Sequence, residues 1–228
     1  ATWAFSKEAT SLPAQFPADW VQVNLPHSWN ATDGQDGGND YYRGTAYYAK
    51  TFSKQDLPQA DRYYLEINGA ASSADIYLNG KQMKHHDGGF STWRVDLTED
   101  LQEENLIAIL VDNAPNNYVY PQVADFTFYG GLYRNVNLIC VSESHFDLDY
   151  YGTPGIKVTP VMEATDAKVA VEVFITNRKD SQTVRYSLMN RDGKVIGTYE
   201  GGANANFRLQ NAHLWNGRKD PYLYAMKA

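Results

Sequence analysis

The stretch Tyr63-Tyr64-Leu65-Glu66-Ile67-Asn68, followed by Ala74-Asp75-Ile76-Tyr77-Leu78 and then Asn79-Gly80, decides the fold. Short runs of aromatic and β-branched residues bounded by Asn, Gly and Asp mark strands rather than helices. Asn79-Gly80 supplies the two positive φ angles of a two-residue hairpin turn. The reading is therefore strand, tight turn and returning strand.

The same signal continues on both sides. Trp93-Arg94-Val95-Asp96-Leu97 reads as a further strand. Leu106-Ile107-Ala108-Ile109-Leu110-Val111 is an unbroken apolar run, which fits a strand buried on both faces. Tyr133 to Ile139 closes this first set, and no long amphipathic helix competes with it. Composition shifts near Ser142 to Phe146, and a second series follows: Ile156 to Val161, Val169 to Thr176, Thr183 to Met189, Lys194 to Tyr199, Phe207 to Leu209 and Tyr222 to Met226. Val169, Val171, Val173 and Ile175 alternate with other residues, as one face of a half-buried strand does. Asp192-Gly193 marks another hairpin.

Many antiparallel strands without helices predict an all-β chain of two domains, a jelly-roll β-sandwich over 1–143 and a smaller sandwich over 144–228. Six strands are one short of the roughly seven of an immunoglobulin-like sandwich, so the second domain is expected to be incomplete and its last strand cut mid-course.

Composition narrows the function. A net charge of -7 and a pI near 5.2 argue against nucleic acid, because phosphate binding needs clustered Lys and Arg. No run approaches the roughly 18 apolar residues that cross a bilayer, so no membrane insertion is expected. Seventeen tyrosines lean towards sugar, whose apolar faces stack on aromatic rings, although the same residues also fill sandwich cores. The single cysteine, Cys140, excludes an intrachain disulfide and reads as a small buried hydrophobe. Ala1 is neither an initiator Met nor the start of a signal peptide, so a removed upstream segment is expected. The compartment stays unassigned, with a periplasmic or secreted one favoured over the cytoplasm.

Three segments in order resemble family 2 glycoside hydrolases of the β-galactosidase kind. They are Val23-Asn24-Leu25-Pro26-His27-Ser28-Trp29-Asn30 leading into Tyr41-Tyr42-Arg43-Gly44 and Tyr47-Tyr48-Ala49-Lys50; Asp75-Ile76-Tyr77-Leu78-Asn79-Gly80 with His86-Asp87-Gly88-Gly89-Phe90; and Asp125-Phe126-Thr127-Phe128-Tyr129-Gly130-Gly131-Leu132-Tyr133-Arg134-Asn135-Val136. Leu214-Trp215 and Pro221-Tyr222-Leu223-Tyr224 resemble the close of that family's second sandwich. The resemblance implies a galactose-binding-type jelly roll, then an immunoglobulin-like domain, then a catalytic (β/α)8 barrel carrying two glutamates. A barrel needs about 250 residues with alternating strands and helices. Nothing here has that pattern, so this chain carries no catalytic residue and is expected to be silent by itself. Its partners would be its own C-terminal barrel and, through the intact enzyme, a β-galactoside-type carbohydrate. An oligomer is compatible with this reading.

Among candidate substrate contacts, the resemblance singles out Asp125, which would reach the barrel's pocket, bind sugar hydroxyls and help hold a monovalent cation. Without the resemblance, Asp125 reads as a loop-capping surface residue. The intact enzyme would accordingly use sodium or magnesium, while this chain's own residues imply no cofactor or metal. Asp36 and Asn39 lie in the Gly- and Asp-rich stretch Thr32 to Asp40, which lacks the spacing of a calcium loop and reads as a surface loop near the pocket. Arg43 reads as a substrate contact, an interdomain ion pair or an ordinary surface cation. His85-His86-Asp87 invites a metal reading, yet adjacent strand residues point to opposite faces. His86 is instead expected to bond within its turn. Gly130-Gly131 reads as a bend that aims the Asp125 loop, and Arg134 as a structural ion-pair partner. A free-standing carbohydrate-binding module and an adhesin-like pair of sandwiches remain alternatives.

Overall fold

The computed structural model describes residues 2–31, 33, 40–121 and 123–228. It is all-β and forms two compact units, Ala1–Ser142 and Glu143–Ala228.

The first unit contains β1 (Thr2–Ser6), β2 (Val21–Asn24), β3 (Thr45–Ser53), β4 (Arg62–Ile67), β5 (Ser73–Leu78), β6 (Lys81–Asp87), β7 (Trp93–Asp96), β8 (Glu104–Asp112) and β9 (Val136–Val141). A six-stranded sheet in the order β2-β1-β3-β8-β5-β6 accompanies a three-stranded sheet in the order β7-β4-β9, all pairs antiparallel. The strand pleat sends Ile76, Leu78, Ile107, Ile109 and Val111 from one sheet, and Leu65, Ile67, Trp93 and Val95 from the other, into one buried cluster with Trp3, Phe5, Trp29, Tyr48 and Leu132. Each such side chain contributes about 1.5–3 kcal/mol by leaving water. β8 is central, and its unbroken apolar run follows from that place: Ala108 is buried on the face opposite Ile107 and Ile109. Asn79 and Gly80 have φ of 52° and 82°, as the hairpin reading requires.

The second unit contains β10 (His145–Phe146), β11 (Ile156–Glu163), β12 (Asp166–Val173), β13 (Ile175–Thr176), β14 (Val184–Met189), β15 (Val195–Gly201), β16 (Asn204–Leu209) and β17 (Ala225–Lys227). Two sheets, β11-β12-β16 and β15-β14-β17, are joined by a short β10-β13 pair. Val169, Val171, Val173, Val184, Tyr186 and Ala205 form the core. The hydroxyl of the fully buried Tyr186 donates to the Gly202 carbonyl at 2.8 Å, which satisfies its one polar atom.

Several strand bounds differ from those read in the sequence. The strand expected from Tyr133 begins at Val136, because its partner β4 ends at Ile67 and Tyr133 turns away to donate its hydroxyl to the Gly89 carbonyl at 2.5 Å. The run from Val169 to Thr176 breaks at Phe174, which stacks on Tyr150 at 4.0 Å, so Ile175 pairs with β10 instead. Only Ala225–Lys227 of the expected final strand pairs, with β14. Tyr222 stacks on His213 at 4.0 Å, and Tyr224 accepts the His213 backbone N–H. Cys140 is half-buried rather than buried, and burial pushes its thiol upward.

Candidate functional site

The third motif is held to the first by hydrogen bonds. Asn30 and Asn113 are fully buried. Asn113 Nδ2 lies 2.8 Å from the Phe128 carbonyl and 3.1 Å from Asn30 Oδ1, while Asn30 Oδ1 also accepts the Gly130 N–H at 2.7 Å. Asn113 Oδ1 accepts the Gly44 N–H at 2.9 Å, and Asn30 Nδ2 donates to the Tyr42 carbonyl and to Asp33 Oδ2, both at 3.0 Å. Ser28 Oγ donates to the Gly130 carbonyl, and the Phe128 N–H donates to the Tyr41 hydroxyl. Four segments distant in sequence thus meet on two amides. A buried amide in such a network is costly to leave unpaired, so the arrangement has one stable geometry.

Gly131 continues the anchor. Its φ of 126° is open to glycine, and a Cβ there would run into the His27 carbonyl. A Cβ on Gly130 would overlap the Trp29 ring. The bend read from Gly130-Gly131 is therefore a close approach of backbone to core, and Leu132 beyond it is fully buried.

Above this anchor the chain forms a cleft of about 440 Å³. Its walls come from Ala71 and Ser72, Gly89 and Phe90, the 114–121 segment, Phe126 to Tyr129, Tyr133, Ser28 and Arg43. Phe90, Tyr120, Phe126 and Tyr129 all present exposed rings. A concave, largely aromatic site with a few polar groups suits a small ligand.

Arg43 is half-buried in this cleft and not an ordinary surface cation. Its Nε donates to the Asn113 carbonyl at 2.8 Å, and its guanidinium lies 4.5 Å from the Phe128 ring centroid. It forms no ion pair among the described residues. Asp125 stands exposed on the loop, immediately before the wall residues Phe126 and Thr127, and is not itself a wall of the cleft. No hydrogen bond or ion pair holds its carboxylate among the described residues, in contrast with the fixed backbone at Phe128 and Gly130. Asp36 and Asn39 lie outside the described residues.

The remaining candidates separate. His85 and His86 do face opposite ways: His85 bridges Asp75 at 2.8 Å and Asp87 at 3.2 Å, whereas His86 stacks on Trp93 at 4.7 Å. The hydrogen bond to Asp75 raises the His85 pKa; desolvation lowers that of His86, which also bonds to the Gly88 backbone. Arg134 is exposed and makes no ion pair among the described residues, which corrects its reading as a structural pair. The buried pair is Arg94 with Glu66, whose Nη2–Oε2 distance is 2.7 Å.

A sodium or magnesium ion was implied at Asp125. Magnesium takes an octahedral shell of oxygens, and no group of three or more His, Cys, Asp or Glu placed to hold an ion occurs among the described residues. A single exposed carboxylate does not fit a resident cation by itself.

Sequence reading missed Asn30 and Asn113. Asn30 was quoted within the first motif without a role. The residue after the apolar run ending at Val111-Asp112 carries no periodic signal, and only the two full burials reveal the pair.

Residues 3–128 match the family model described as glycosyl hydrolase 2 galactose-binding domain-like. The chain is 32% identical over 224 residues to a β-glucuronidase of Bacteroides fragilis, covering 92% of this chain and 32% of that enzyme. It is 25% identical to a β-galactosidase of Thermoanaerobacter pseudethanolicus, covering 97% of this chain and 31% of that enzyme. Among solved structures, an FMN-binding β-glucuronidase from Facaelibacterium prausnitzii L2-6 superposes with a TM-score of 0.84 at 39% identity, over 98% of this chain and 35% of that one. The chain spans about a third of the length of these relatives. With the motifs, the jelly-roll sheets and the family match in agreement, the chain belongs to glycoside hydrolase family 2, its residues 3–128 forming the family's galactose-binding-like domain.

Proposed function

We propose that the first unit forms one wall of the sugar pocket of a retaining family 2 β-glycosidase, with Asp125 and Arg43 as its substrate contacts. The observation that carries this reading is the loop itself: its backbone is fixed at Phe128 and Gly130, while the Asp125 carboxylate is free beside an aromatic cleft. A carboxylate accepts sugar hydroxyls at charge-assisted strength, about 1.5–3 kcal/mol each. In this reading the substrate is a β-galactoside-type sugar, and Asp36 and Asn39 flank the same pocket. The two carboxyl groups of the retaining mechanism, about 5–5.5 Å apart, come from a catalytic barrel elsewhere in the parent protein. Among the described residues only two short 3-10 turns break the strand and loop pattern, so this chain holds no such barrel.

The test is hydrolysis of chromogenic β-galactosides by the chain alone and by the parent protein. Turnover is expected from the parent only, and turnover by the pure chain overturns the division of labour.

A second reading, a free-standing carbohydrate-binding module, is favoured by the exposed rings of Phe90, Tyr120 and Phe126. Calorimetric titration with galactose or lactose separates the two. Affinity well below the millimolar range supports the module; weak or absent binding supports the incomplete pocket.

A further inference from the structure

We propose that Arg43 makes the cleft selective for a glycoside that carries a carboxylate. This rests on the reading of the cleft as a sugar site and narrows the substrate class that the site takes.

Arg43 is the one charged side chain among the cleft's walls. Its Nε is committed to the Asn113 carbonyl and its plane lies against Phe128, so the guanidinium is held in one orientation. The two Nη groups have no partner among the described residues. Neighbouring carboxylates are engaged elsewhere. Asp112 accepts from Thr45 Oγ1 and the Ala114 N–H, and Asp87 bonds to His85 and Asn116. A chain with a net charge of -7 thus presents one unbalanced cation inside an apolar, aromatic recess.

Such a charge acts with less screening than one at the open surface. A guanidinium with both Nη groups free matches the two oxygens of a carboxylate, a geometry that a neutral hydroxyl cannot fill. The volume of about 440 Å³ accommodates a pyranose ring with a small aromatic substituent. The carboxylate has two possible sources, the sugar ring of a uronic acid or the aglycone.

Three ligands distinguish these sources: phenyl β-glucuronide, 4-carboxyphenyl β-galactoside and neutral phenyl β-galactoside. Each is titrated into the chain and followed by chemical-shift changes at Arg43 and Phe128. At least one anionic ligand is expected to bind about tenfold more tightly than the neutral one, as one charge-assisted hydrogen bond implies. The stronger of the two anionic arms identifies the source.

The preference should collapse in Arg43→Gln and persist in reduced form in Arg43→Lys. If Arg43→Gln does not fold, the wild-type preference itself decides. It should shrink towards unity at about 1 M salt, where charges are screened within about 3 Å. Equal binding of anionic and neutral ligands, or a preference indifferent to both substitution and salt, overturns the selectivity while leaving the sugar site intact. Absence of shifts with all three ligands overturns the sugar-site reading, and the selectivity with it.

Discussion

Asn113 Nδ2 donates to Asn30 Oδ1 at 3.1 Å, between two fully buried side chains 83 residues apart in sequence. Through their other bonds these amides hold the Tyr42 to Gly44 segment and the Phe128 to Gly130 segment at the floor of one cleft.

Replacing Asn113 with alanine removes both the donor and the acceptor from that network. The Gly44 N–H, the Phe128 carbonyl and the Asn30 amide then lose a buried partner, at about 1–3 kcal/mol for each group that water cannot reach. Urea unfolding of Asn113→Ala is expected to show a loss of about 2–4 kcal/mol. A loss below about 0.5 kcal/mol, the range of neutral surface changes, would show that the amide does not organise the site.

Gly130 packs its backbone against the Trp29 ring, and an added methyl group has nowhere to go. Overpacking of this kind costs typically about 1–3 kcal/mol. Gly130→Ala should lower the unfolding midpoint and change the near-ultraviolet circular dichroism of Trp29. An unchanged spectrum with an unchanged midpoint would refute the close approach.

The Glu66–Arg94 pair is shielded, with side-chain exposures of 14% and 7%, and Glu66 Oε1 also accepts from Asn137 Nδ2 at 3.0 Å. Removing one partner leaves a charge without compensation, which costs about 3–5 kcal/mol at a buried site. Glu66→Ala is therefore expected to destabilise strongly, and the double variant Glu66→Leu with Arg94→Met much less. Equal losses from the two would remove the ion pair from the account.

Two histidines make stability fall in acid. Desolvation lowers the pKa of His27, which meets the Tyr48 hydroxyl at 2.8 Å, and likewise that of His86. A lowered histidine contributes stability that is complete above its unfolded value, about 6.5, and is lost as the pH falls from there through the folded value. His85 works in the opposite sense. Its hydrogen bond to Asp75 raises it, so its contribution is complete below about pH 6.5 and is lost as the pH rises through the folded value. Melting between about pH 7.5 and pH 5 should show a shallower fall for His27→Gln than for the parent chain, and a steeper one for His85→Gln. Identical slopes in all three would contradict the assignment.

The strands with alternating or continuous apolar residues were legible in the sequence because burial imposes that pattern. β4, β5, β8 and β12 follow it closely. β6 escaped because an edge strand exposes most of its side chains, so Lys81-Gln82-Met83-Lys84 carries no apolar signal. Tyr133 was read as strand on its residue type, while its actual place depends on where β4 ends and on a hydroxyl bond to Gly89, both non-local facts. Arg43 was visible as a candidate, but its role depends on Phe128 and Asn113, which only the fold brings to it. The Asn30–Asn113 pair was illegible for the same reason.

The reading of Asp125 as a substrate contact is the centre of the account, and its carboxylate is exposed and unpartnered among the described residues, so removing it should leave folding untouched. The direct measurement is kcat/KM of Asp125→Ala in the intact hydrolase on its preferred chromogenic β-glycoside, alongside its unfolding midpoint. Loss of one or two charge-assisted bonds predicts a fall of about 10- to 100-fold at an unchanged midpoint. A kcat/KM within about twofold of the parent enzyme, far below what one such bond is worth, would contradict it.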